Sequence, residues 1–437
     1  MERIGIALTL VLIILSSCNT IEPPPGKKGS ASLNLEDVSC TEAWIKLTTT
    51  NLQLPTTVNL IQNEETRKTI TLITADTILY VDSLLPNQTY NFYSVIQPNN
   101  QSPIRSSQIQ ENTLDTTGND FTFNEYTFGG NAGSCALYDC TIISEDNIWC
   151  VGEINIADTS QNGYTLYNAV HWNGTDWQLK RIPFVFNGQN DYGPIYSIFS
   201  FNKDDIWFGS NIHWNGQEYN YLDDQALFGW VANKMWGTGS NDLYAVGNGG
   251  HIAHYQNGVW SKIESGTSLQ FLDIYGATDT QNGDQQILAV CTQNNPPGNG
   301  IYTIKGNTVT EISSKFNFPG YTIPPELFGI WFVPYKHYYI IGDGIYEKRL
   351  LSDSTWGNGP LEITRYATTG IRGTGINDVF VSGAFGEFLH FNGVRWESFI
   401  NNLGQFSGSY GSLAIKNNLV VTVGYVGEQA KILVGHR

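Results

Sequence analysis

The chain carries little charge and very little methionine for its 437 residues. Charged residues make up 14% of the sequence and methionine occurs only 2 times. Apolar residues do not recur at helical spacing over any long stretch after the N-terminus. Glycine (45 residues) and aromatic residues (13%) are instead abundant, as in chains of short strands joined by tight turns. The composition predicts an all-β protein, long enough for two or three domains.

Basic residues are also scarce. The chain has 23 Lys and Arg against 40 Asp and Glu, which gives a formal net charge of −17. A nucleic-acid partner requires a basic surface that displaces counterions, so the charge balance excludes that class. An acidic surface is typical of a soluble protein of the cell envelope, and solubility alone explains it.

Cysteines are too few and too irregularly spaced in the sequence to form a disulfide framework or a metal site. Six cysteines occur without any Cys-x-x-Cys spacing, so we expect no zinc centre, no other metal and no cofactor. Cys140 and Cys150 flank a predicted hairpin turn, and simple register places them on opposite faces of the hairpin. A bridge from Cys135 to either of them stays possible in an oxidising compartment.

The N-terminus has the pattern of an export signal. Charged residues precede an apolar run from Ile4 to Leu15, which is too short for an ordinary membrane span. The following Leu-Ser-Ser-Cys resembles the lipobox of bacterial lipoproteins, which implies a signal peptide over residues 1–17 and a lipid on Cys18. Residues 18–30 contain three consecutive prolines and predict an extended tether. Asn19 in place of aspartate favours the outer membrane in that family, so we expect a lipid-anchored envelope protein.

Residues 31–115 alternate apolar and polar side chains in about seven short runs, a pattern typical of a β-sandwich. Leu84, Pro86 and Tyr90 follow the Leu-x-Pro-x-x-x-Tyr spacing of fibronectin type III domains, and Trp44 lies where that family has a core tryptophan. The resemblance implies a spacer or protein-contact module. It also implies that Tyr90 folds back to bond the backbone near its corner.

Residues 119–437 contain a repeat: a short strand, a His-aromatic-Asn-Gly turn and a tryptophan. We count seven units by the apolar residue that opens the second strand of each unit. These residues are Ile148, Ile206, Leu243, Ile287, Tyr339, Val379 and Leu419. Each unit is long enough for a four-stranded blade of a β-propeller. The pattern resembles the BNR-like and Ycf48-like propellers of bacterial envelopes, but it lacks the Asp-box of sialidases, so no sialidase activity is implied.

Two further expectations come from the repeat. The last unit has only three strands, so the spare strand at Phe121–Phe128 is predicted to close the ring as the fourth. His171, His213, His254 and His390 recur at one repeat position. Metal ligands converge on one point instead of repeating around a ring, so these histidines are predicted to be structural.

Departures from the repeat indicate where a site could lie. Several loops between strands and between units are unusually long, and they carry aromatic residues beside Asn and Asp, as sugar and peptide sites do. The candidate ligand-binding residues in these loops are Asp158, Asp191, Tyr192, Trp230 and Tyr321. Arg372, among mainly aromatic inner-strand positions, is a further candidate at the channel mouth, although it could equally pair with a carboxylate between blades.

The sequence lacks the catalytic signatures GxSxG, HExxH, the P-loop and the nicotinamide fingerprint. We therefore expect a fibronectin-like sandwich followed by a seven-bladed propeller that binds a protein or glycan without catalysis. One alternative is an envelope polysaccharide-active enzyme, a glycosidase or lyase, at the channel mouth. Another is an assembly factor for an envelope complex. The oligomeric state stays open.

Overall fold

A computed structural model describes residues 28–98, 102–186, 189–222, 227, 229–294, 297–313, 317–318, 325–357 and 362–437. The chain divides into two compact units, Met1–Asp115 and Thr116–Arg437. Both are built from strands, and the helix α1 (Ile400–Leu403) and the 3-10 turn Asn248–Gly250 are short. Within these ranges no helix is long and apolar enough to cross a membrane.

The first unit is a pair of antiparallel sheets around one apolar core. One sheet has the order β1-β2-β5, and the other has the order β4-β3-β6-β7 with β8 also paired to β6. The strands are β1 (Ser30–Val38), β2 (Ala43–Thr50), β3 (Thr56–Gln62), β4 (Glu65–Leu72), β5 (Asp76–Val81), β6 (Thr89–Gln97), β7 (Ile104–Arg105) and β8 (Ile109–Asn112). Alternating buried positions such as Ile45 and Leu47 on β2 supply the core.

Tyr90 and Trp44 have the structural roles expected for them. The backbone N–H of Leu85 donates to Tyr90 Oη at 2.9 Å, so the tyrosine folds back onto its own corner. Trp44 lies on β2 and is only 2% exposed, with its ring 5.7 Å from that of Tyr80. Both side chains therefore stabilise the sandwich.

The described part of the second unit contains seven antiparallel sheets of three or four strands, which we number in chain order, and one separate two-stranded hairpin. Sheet 1 comprises β10 (Ala136–Ser144), β11 (Asn147–Ala157), β12 (Tyr164–Trp172) and β13 (Trp177–Lys180). Between sheets 1 and 2 lies the hairpin β14 (Phe184–Phe186) and β15 (Gln189–Asp191). Sheet 2 comprises β16 (Ile198–Asn202), β17 (Asp205–Phe208), β18 (Ile212–Trp214) and β19 (Tyr219–Tyr221). Sheet 3 comprises β20 (Ala232–Gly239), β21 (Asp242–Gly247), β22 (Ile252–Gln256) and β23 (Val259–Ile263).

The remaining sheets follow the same order of strands. Sheet 4 comprises β24 (Gln270–Thr278), β25 (Gln285–Asn294), β26 (Pro297–Lys305) and β27 (Thr308–Glu311). Sheet 5 comprises β28 (Leu327–Val333), β29 (His337–Gly342) and β30 (Ile345–Lys348). Sheet 6 comprises β31 (Thr368–Gly375), β32 (Asp378–Gly383), β33 (Phe388–Phe391) and β34 (Trp396–Ser398). Sheet 7 comprises β35 (Gly408–Lys416), β36 (Leu419–Val426), β37 (Gln429–His436) and β9 (Thr122–Phe128).

The first strands of the sheets form a closed ring. Each contacts the first strand of the next sheet, and β35 of the last sheet contacts β10 of the first. The predicted closing strand is confirmed, because β9 pairs antiparallel with β37 from His436↔Thr122 to Ala430↔Phe128. The ring therefore joins the beginning of the unit to its end by main-chain hydrogen bonds.

Side chains reinforce this closure. The ring of Phe123 lies 5.0 Å from that of Phe399, and Phe121 lies 5.3 Å from Phe380 in an edge contact. Gly435 leaves room for the closing strand, because a Cβ there would meet the Phe123 ring at 2.7 Å. Closure thus involves sheet 6 as well as sheet 7.

The recurring histidines are structural, as predicted. In four sheets the histidine of the third strand stacks on an aromatic ring of the second strand, at centroid distances of 4.0 to 4.4 Å. Its Nε2 lies 2.7 to 2.9 Å from an oxygen of the Asn or Asp that opens the second strand. The four pairs are His171 with Asn147, His213 with Asp205, His254 with Asp242 and His390 with Asp378. They lie in the strand that precedes the Asn-Gly turn, not in the turn itself.

In the fourth pair, Asp378 has hydrogen-bond donors besides His390. Its carboxylate also accepts hydrogen bonds from Thr374 Oγ1 at 2.6 Å and from the Arg437 guanidinium at 2.9 Å. Burial opposes ionisation, but the bonds from His390, Arg437 and Thr374 lower the pKa of the Asp378 carboxyl to about 2. The carboxylate is therefore ionised at any physiological pH.

The prediction that Cys140 and Cys150 lie on opposite faces of their hairpin is wrong, although no bridge joins them. The two residues are direct cross-strand partners and lie in the same core cluster. A β-bulge between Ile142 and Ser144 inserts one residue into β10 and shifts the register that the turn alone would set. All five described cysteines are free and buried. Burial raises the pKa of the Cys150 thiol well above its usual value, so that thiol is inert.

Deletion of residues 121–128 should unfold the whole second unit, because it exposes the edge of β37 and removes the strand pairing that joins the start of the ring to its end. Tryptophan fluorescence during urea unfolding measures this, since every tryptophan except Trp44 lies in that unit. Thr127→Ala, at an exposed position of β9, is the control. An unchanged unfolding midpoint in the deletion variant would refute the closure.

Candidate functional site

The centre of the ring is lined by residues that follow β-bulges in the first strands. Bulges occur immediately before Asp139 on β10, Lys234 on β20, Asp273 on β24 and Ser412 on β35. A bulge re-aims the next side chain, and these four side chains meet across the channel or join neighbouring sheets. The channel interior is therefore charged instead of purely apolar.

Asp139 is the centre of one network. Its Oδ1 accepts hydrogen bonds from Lys234 Nζ at 2.5 Å and Ser412 Oγ at 2.8 Å, and its Oδ2 accepts one from the Ile198 backbone N–H at 3.1 Å. These partners lie on sheets 3, 7 and 2, so one carboxylate connects four sheets. The Asp139 side chain is only 1% exposed and the Lys234 side chain 13%.

Asp273 forms the second network with Arg372. The guanidinium is bidentate, with Nη1 at 2.8 Å from Oδ2 and Nη2 at 2.6 Å from Oδ1. Asp273 also accepts the backbone N–H of Ile330 on sheet 5 at 3.0 Å. Although burial alone would lower it, the charge of Asp273 and its hydrogen bonds raise the pKa of Arg372. The expected pairing of Arg372 with an inter-blade carboxylate is thus confirmed.

These two ion pairs separate the channel into two cavities. The smaller has about 70 Å³ and is lined by the beginnings of the first strands, including Tyr138 and Thr369. The larger has about 300 Å³ and is lined farther along those strands by Trp236, Tyr275 and other residues. Lys234 and Arg372 line both cavities. No ligand needs to occupy the channel to neutralise the charges there, since each carboxylate already has its cation.

Beside the channel lies a separate cavity of about 220 Å³, which we call the loop pocket. It lies on the loop face, which we define by the connections between second and third strands and between successive sheets. Its aromatic lining residues are Phe184, Tyr196, Phe208, Tyr221 and Trp230, and its polar lining residues include Ser210 and Asn211. Tyr196 is 38% exposed. The pocket therefore combines accessible rings with polar groups.

Backbone contacts hold the walls of the loop pocket. Ser197 Oγ donates to the Ala232 carbonyl at 2.9 Å, and the Gly209 N–H donates to the Ser197 carbonyl at 2.7 Å. Trp230 lies directly over Gly247, where a Cβ would come within 2.8 Å of the indole. The Trp230 ring also stacks on the His251 ring, with the centroids 5.4 Å apart and the planes nearly parallel. The pocket is thus built on sheets 2 and 3 and does not depend on a loop alone.

The loop pocket is connected to the channel mouth by a pair of tyrosines. The rings of Tyr138 and Tyr196 stack at 4.7 Å with an angle of 13°. Tyr138 lines the small channel cavity and Tyr196 lines the loop pocket. Burial, together with the neighbouring Tyr196 and Glu153, raises the pKa of Tyr138 to about 12. Tyr138 is therefore a hydrogen-bonding phenol and not a base at neutral pH.

The structure does not bring the predicted site residues together. Trp230 alone among them lines the loop pocket. Asp158 closes its own hairpin, accepting the Ser160 N–H at 2.9 Å and the Thr165 hydroxyl, and those bonds lower its pKa. Tyr192 lies under the Arg181 guanidinium at 3.7 Å.

Of the other predicted residues, Asp191 accepts the Tyr192 backbone N–H at 2.8 Å and is exposed on β15. Arg372 is engaged with Asp273 inside the channel. Tyr321 and Cys18 lie outside the described residues. Across the described ranges no group of three or more His, Cys, Asp or Glu side chains could hold a metal ion.

The sequence indicated Arg372 in the channel, but it did not identify the other residues of the channel networks or most of the loop pocket. A signal for the channel networks was present, because Asp139 and Lys234 each stand nine residues before the apolar anchor of their repeat. Asp273 does not share that spacing, because its β24–β25 hairpin is longer. Tyr221 opens one of the unusually long loops, whereas Tyr196 gave no signal beyond its aromatic character.

No protein family matches the chain, and no curated protein matches its sequence. Solved structures do resemble it. A structure described as YCF48 bound to D1 peptide has a TM-score of 0.52 at 14% identity, covering 74% of this chain and 100% of that chain. YCF48 from Cyanidioschyzon merolae has a TM-score of 0.47 at 11% identity, covering 72% and 98%. The WD40 beta propeller domain of Doa1 also has a TM-score of 0.47 at 11% identity, covering 72% and 97%. Together with the closed ring of sheets, the first likeness identifies the fold as a β-propeller.

Arg372→Met should lower the free energy of unfolding of the propeller by about 3–5 kcal/mol, because it leaves the Asp273 carboxylate buried without its cation. The double variant Arg372→Met with Asp273→Asn should recover part of this loss, since no buried charge remains. Urea unfolding followed by tryptophan fluorescence measures both. Equal losses in the single and double variants would contradict the proposed charge compensation.

Proposed function

We propose that this protein is a non-catalytic binding protein that takes a segment of a partner protein on the loop face of its propeller. The observation that carries the proposal is the loop pocket, where Trp230, Tyr196 and Tyr221 surround a cavity that also has polar lining residues. Large aromatic side chains with a polar rim are typical of the anchor positions of protein interfaces.

The size of the pocket favours a peptide over a whole small-molecule ligand. Its 220 Å³ is below the roughly 300–1,000 Å³ of clefts that enclose a complete ligand. Such a cavity accommodates one side chain or one sugar ring. The stacked Tyr138 and Tyr196 extend the aromatic surface from the pocket towards the channel mouth, which supports an extended occupant with one anchored side chain.

Two further considerations support binding instead of catalysis. The YCF48 structure that shares the fold is described as bound to a peptide, which makes peptide recognition one function that a propeller of this type supports. The buried carboxylates Asp139 and Asp273 are held by Lys234 and Arg372. They are therefore poorly suited to the paired acid and base of a glycosidase.

The wider architecture belongs to the same proposal. The seven sheets are interpreted as the blades of a seven-bladed propeller, and the tyrosine corner at Tyr90 supports a fibronectin type III-like spacer. The lipobox-like Leu15–Cys18 supports a lipid anchor in the cell envelope, on the outer membrane. In this arrangement the spacer and tether would present the propeller to partners away from the lipid.

Selection of a random-peptide phage library on the full chain tests the binding function. We expect enriched peptides to share a large apolar or aromatic residue. We also expect Trp230→Ala to weaken their binding at least about tenfold, as loss of an interface anchor does. Val259→Ala, a change at a 57% exposed position of β23 outside the pocket, is the matched control.

A glycan array with the same three proteins distinguishes the alternatives. Glycan binding that Trp230→Ala removes, without any peptide enrichment, would replace the protein partner by a carbohydrate. Peptide binding that Trp230→Ala and Val259→Ala leave equally strong would refute the loop pocket as the site. Circular dichroism of each variant establishes that the fold is retained.

Cys18→Ser should move the full chain from the membrane fraction to the soluble fraction and leave its N-terminal peptide without lipid, because the thiol is the proposed attachment point. Mass spectrometry of that peptide and detergent phase partition measure the change. Ser17→Ala keeps a small residue at the cleavage site and is the control. A Cys18→Ser variant that stays in the membrane fraction would contradict the anchor.

A further inference from the structure

A groove of about 650 Å³ runs along the seam where sheet 7 meets sheet 1. It lies on the face opposite the loop face, where the turns between first and second strands and between third and fourth strands are found. We call it the seam groove. Its aromatic lining residues are Tyr126, Trp172 and Trp177, and its ionisable lining residues are Glu145, Asp146 and His436.

Three rings form one wall of the seam groove. The centroids of Trp172 and Trp177 are 5.5 Å apart, and those of Tyr126 and Trp177 are 5.7 Å apart, with the rings tilted in both pairs. All three side chains are only partly buried. The equivalent tryptophan of sheet 3, Trp260, is 2% exposed, because Trp207 of the preceding sheet packs against it. At the seam the aromatic wall is left open.

The rim of the groove is negatively charged. Glu145 and Asp146 are both exposed in the turn between β10 and β11, and Asp146 accepts the Ser144 hydroxyl at 2.5 Å. The Trp172 indole N–H donates to the Glu145 carbonyl at 3.2 Å, which fixes this turn beside the ring. Lys416 approaches the same region, donating from Nζ to the Ile143 carbonyl at 2.7 Å, but it does not line the groove.

The next repeat provides an internal comparison. In sheet 2 the Trp214 indole N–H donates to the Lys203 carbonyl at 3.2 Å, the same contact at the same turn. There, however, the two turn residues are Lys203 and Asp204, which pair with each other at 2.8 Å and cancel their charges. The two adjacent carboxylates therefore distinguish the seam from this sister turn.

We infer that the seam groove binds a basic peptide segment, with an Arg or Lys side chain against Trp172 and its charge beside Glu145 and Asp146. A cation over an indole face is attracted by the ring quadrupole, most often as arginine. The carboxylates complement that charge, and an open groove of this volume accommodates a short extended segment. The site lies on the other face from the loop pocket and does not rest on the function proposed for it.

Nuclear magnetic resonance titration of the full chain tests this inference with two probes, acetyl-Gly-Arg-Gly-Arg-Gly-amide and its glutamate counterpart. We expect the arginine peptide, and not the glutamate peptide, to shift the indole N–H resonance that Trp172→Phe removes. Added salt should weaken the binding, because the rim carboxylates are exposed.

Matched variants locate the binding. The double variant Glu145→Gln with Asp146→Asn should raise the dissociation constant of the arginine peptide about five- to tenfold, within the range of two exposed ion pairs. Asp204→Asn, at the sister turn, should leave it unchanged. The inference would be overturned by equal binding of the two peptides or by equal effects of the two sets of variants. It would also be overturned if millimolar arginine peptide left the indole resonance unshifted. Thermal unfolding of the variants verifies that the fold is intact.

Discussion

The pairing of β9 with β37 is the constraint on which the propeller depends. Without β9, the outer strand of sheet 7 would be β37, and the unpaired N–H and C=O groups of β37 would form an open edge. Here the strand that precedes sheet 1 completes sheet 7, and its Phe121 and Phe123 reach rings of sheet 6. The packing of each sheet against the next therefore has no free end, and stability is shared around the ring instead of being summed from independent repeats.

Within that ring, the residues that recur in the repeat and the residues that depart from it have different roles. The stacked histidine and its acidic or amide partner recur in four sheets, which is the behaviour of a scaffold. The channel residues recur only in position: each follows a bulge, but one sheet supplies Asp139, another Lys234 and another Ser412. The backbone thus repeats a geometry, and the side chains placed there differ so that opposite charges meet across the channel.

These differences explain how much could be predicted from the sequence. The closing strand, the tyrosine corner and the structural histidines were predictable because each depends on local pattern or on counting strands. The register of Cys140 and Cys150 was not, because one bulge reverses the facing of a strand. Trp230 is the only candidate residue that lines the loop pocket, since the other walls come from β17 and from the connections before and after sheet 2, which meet only when sheets 2 and 3 pack.

Charge placement separates the interior of the propeller from its surfaces. Asp139 and Asp273 are buried, and each is matched by a cation and by backbone donors from a neighbouring sheet, so their ionisation serves the packing of the ring. Glu145 and Asp146 are exposed, and no lysine or arginine is among the residues that line their groove. A buried charge that lacks a partner is too costly to keep, whereas an exposed one keeps its hydration and can exchange water for a ligand. For that reason we assign recognition to the two surfaces and stability to the channel.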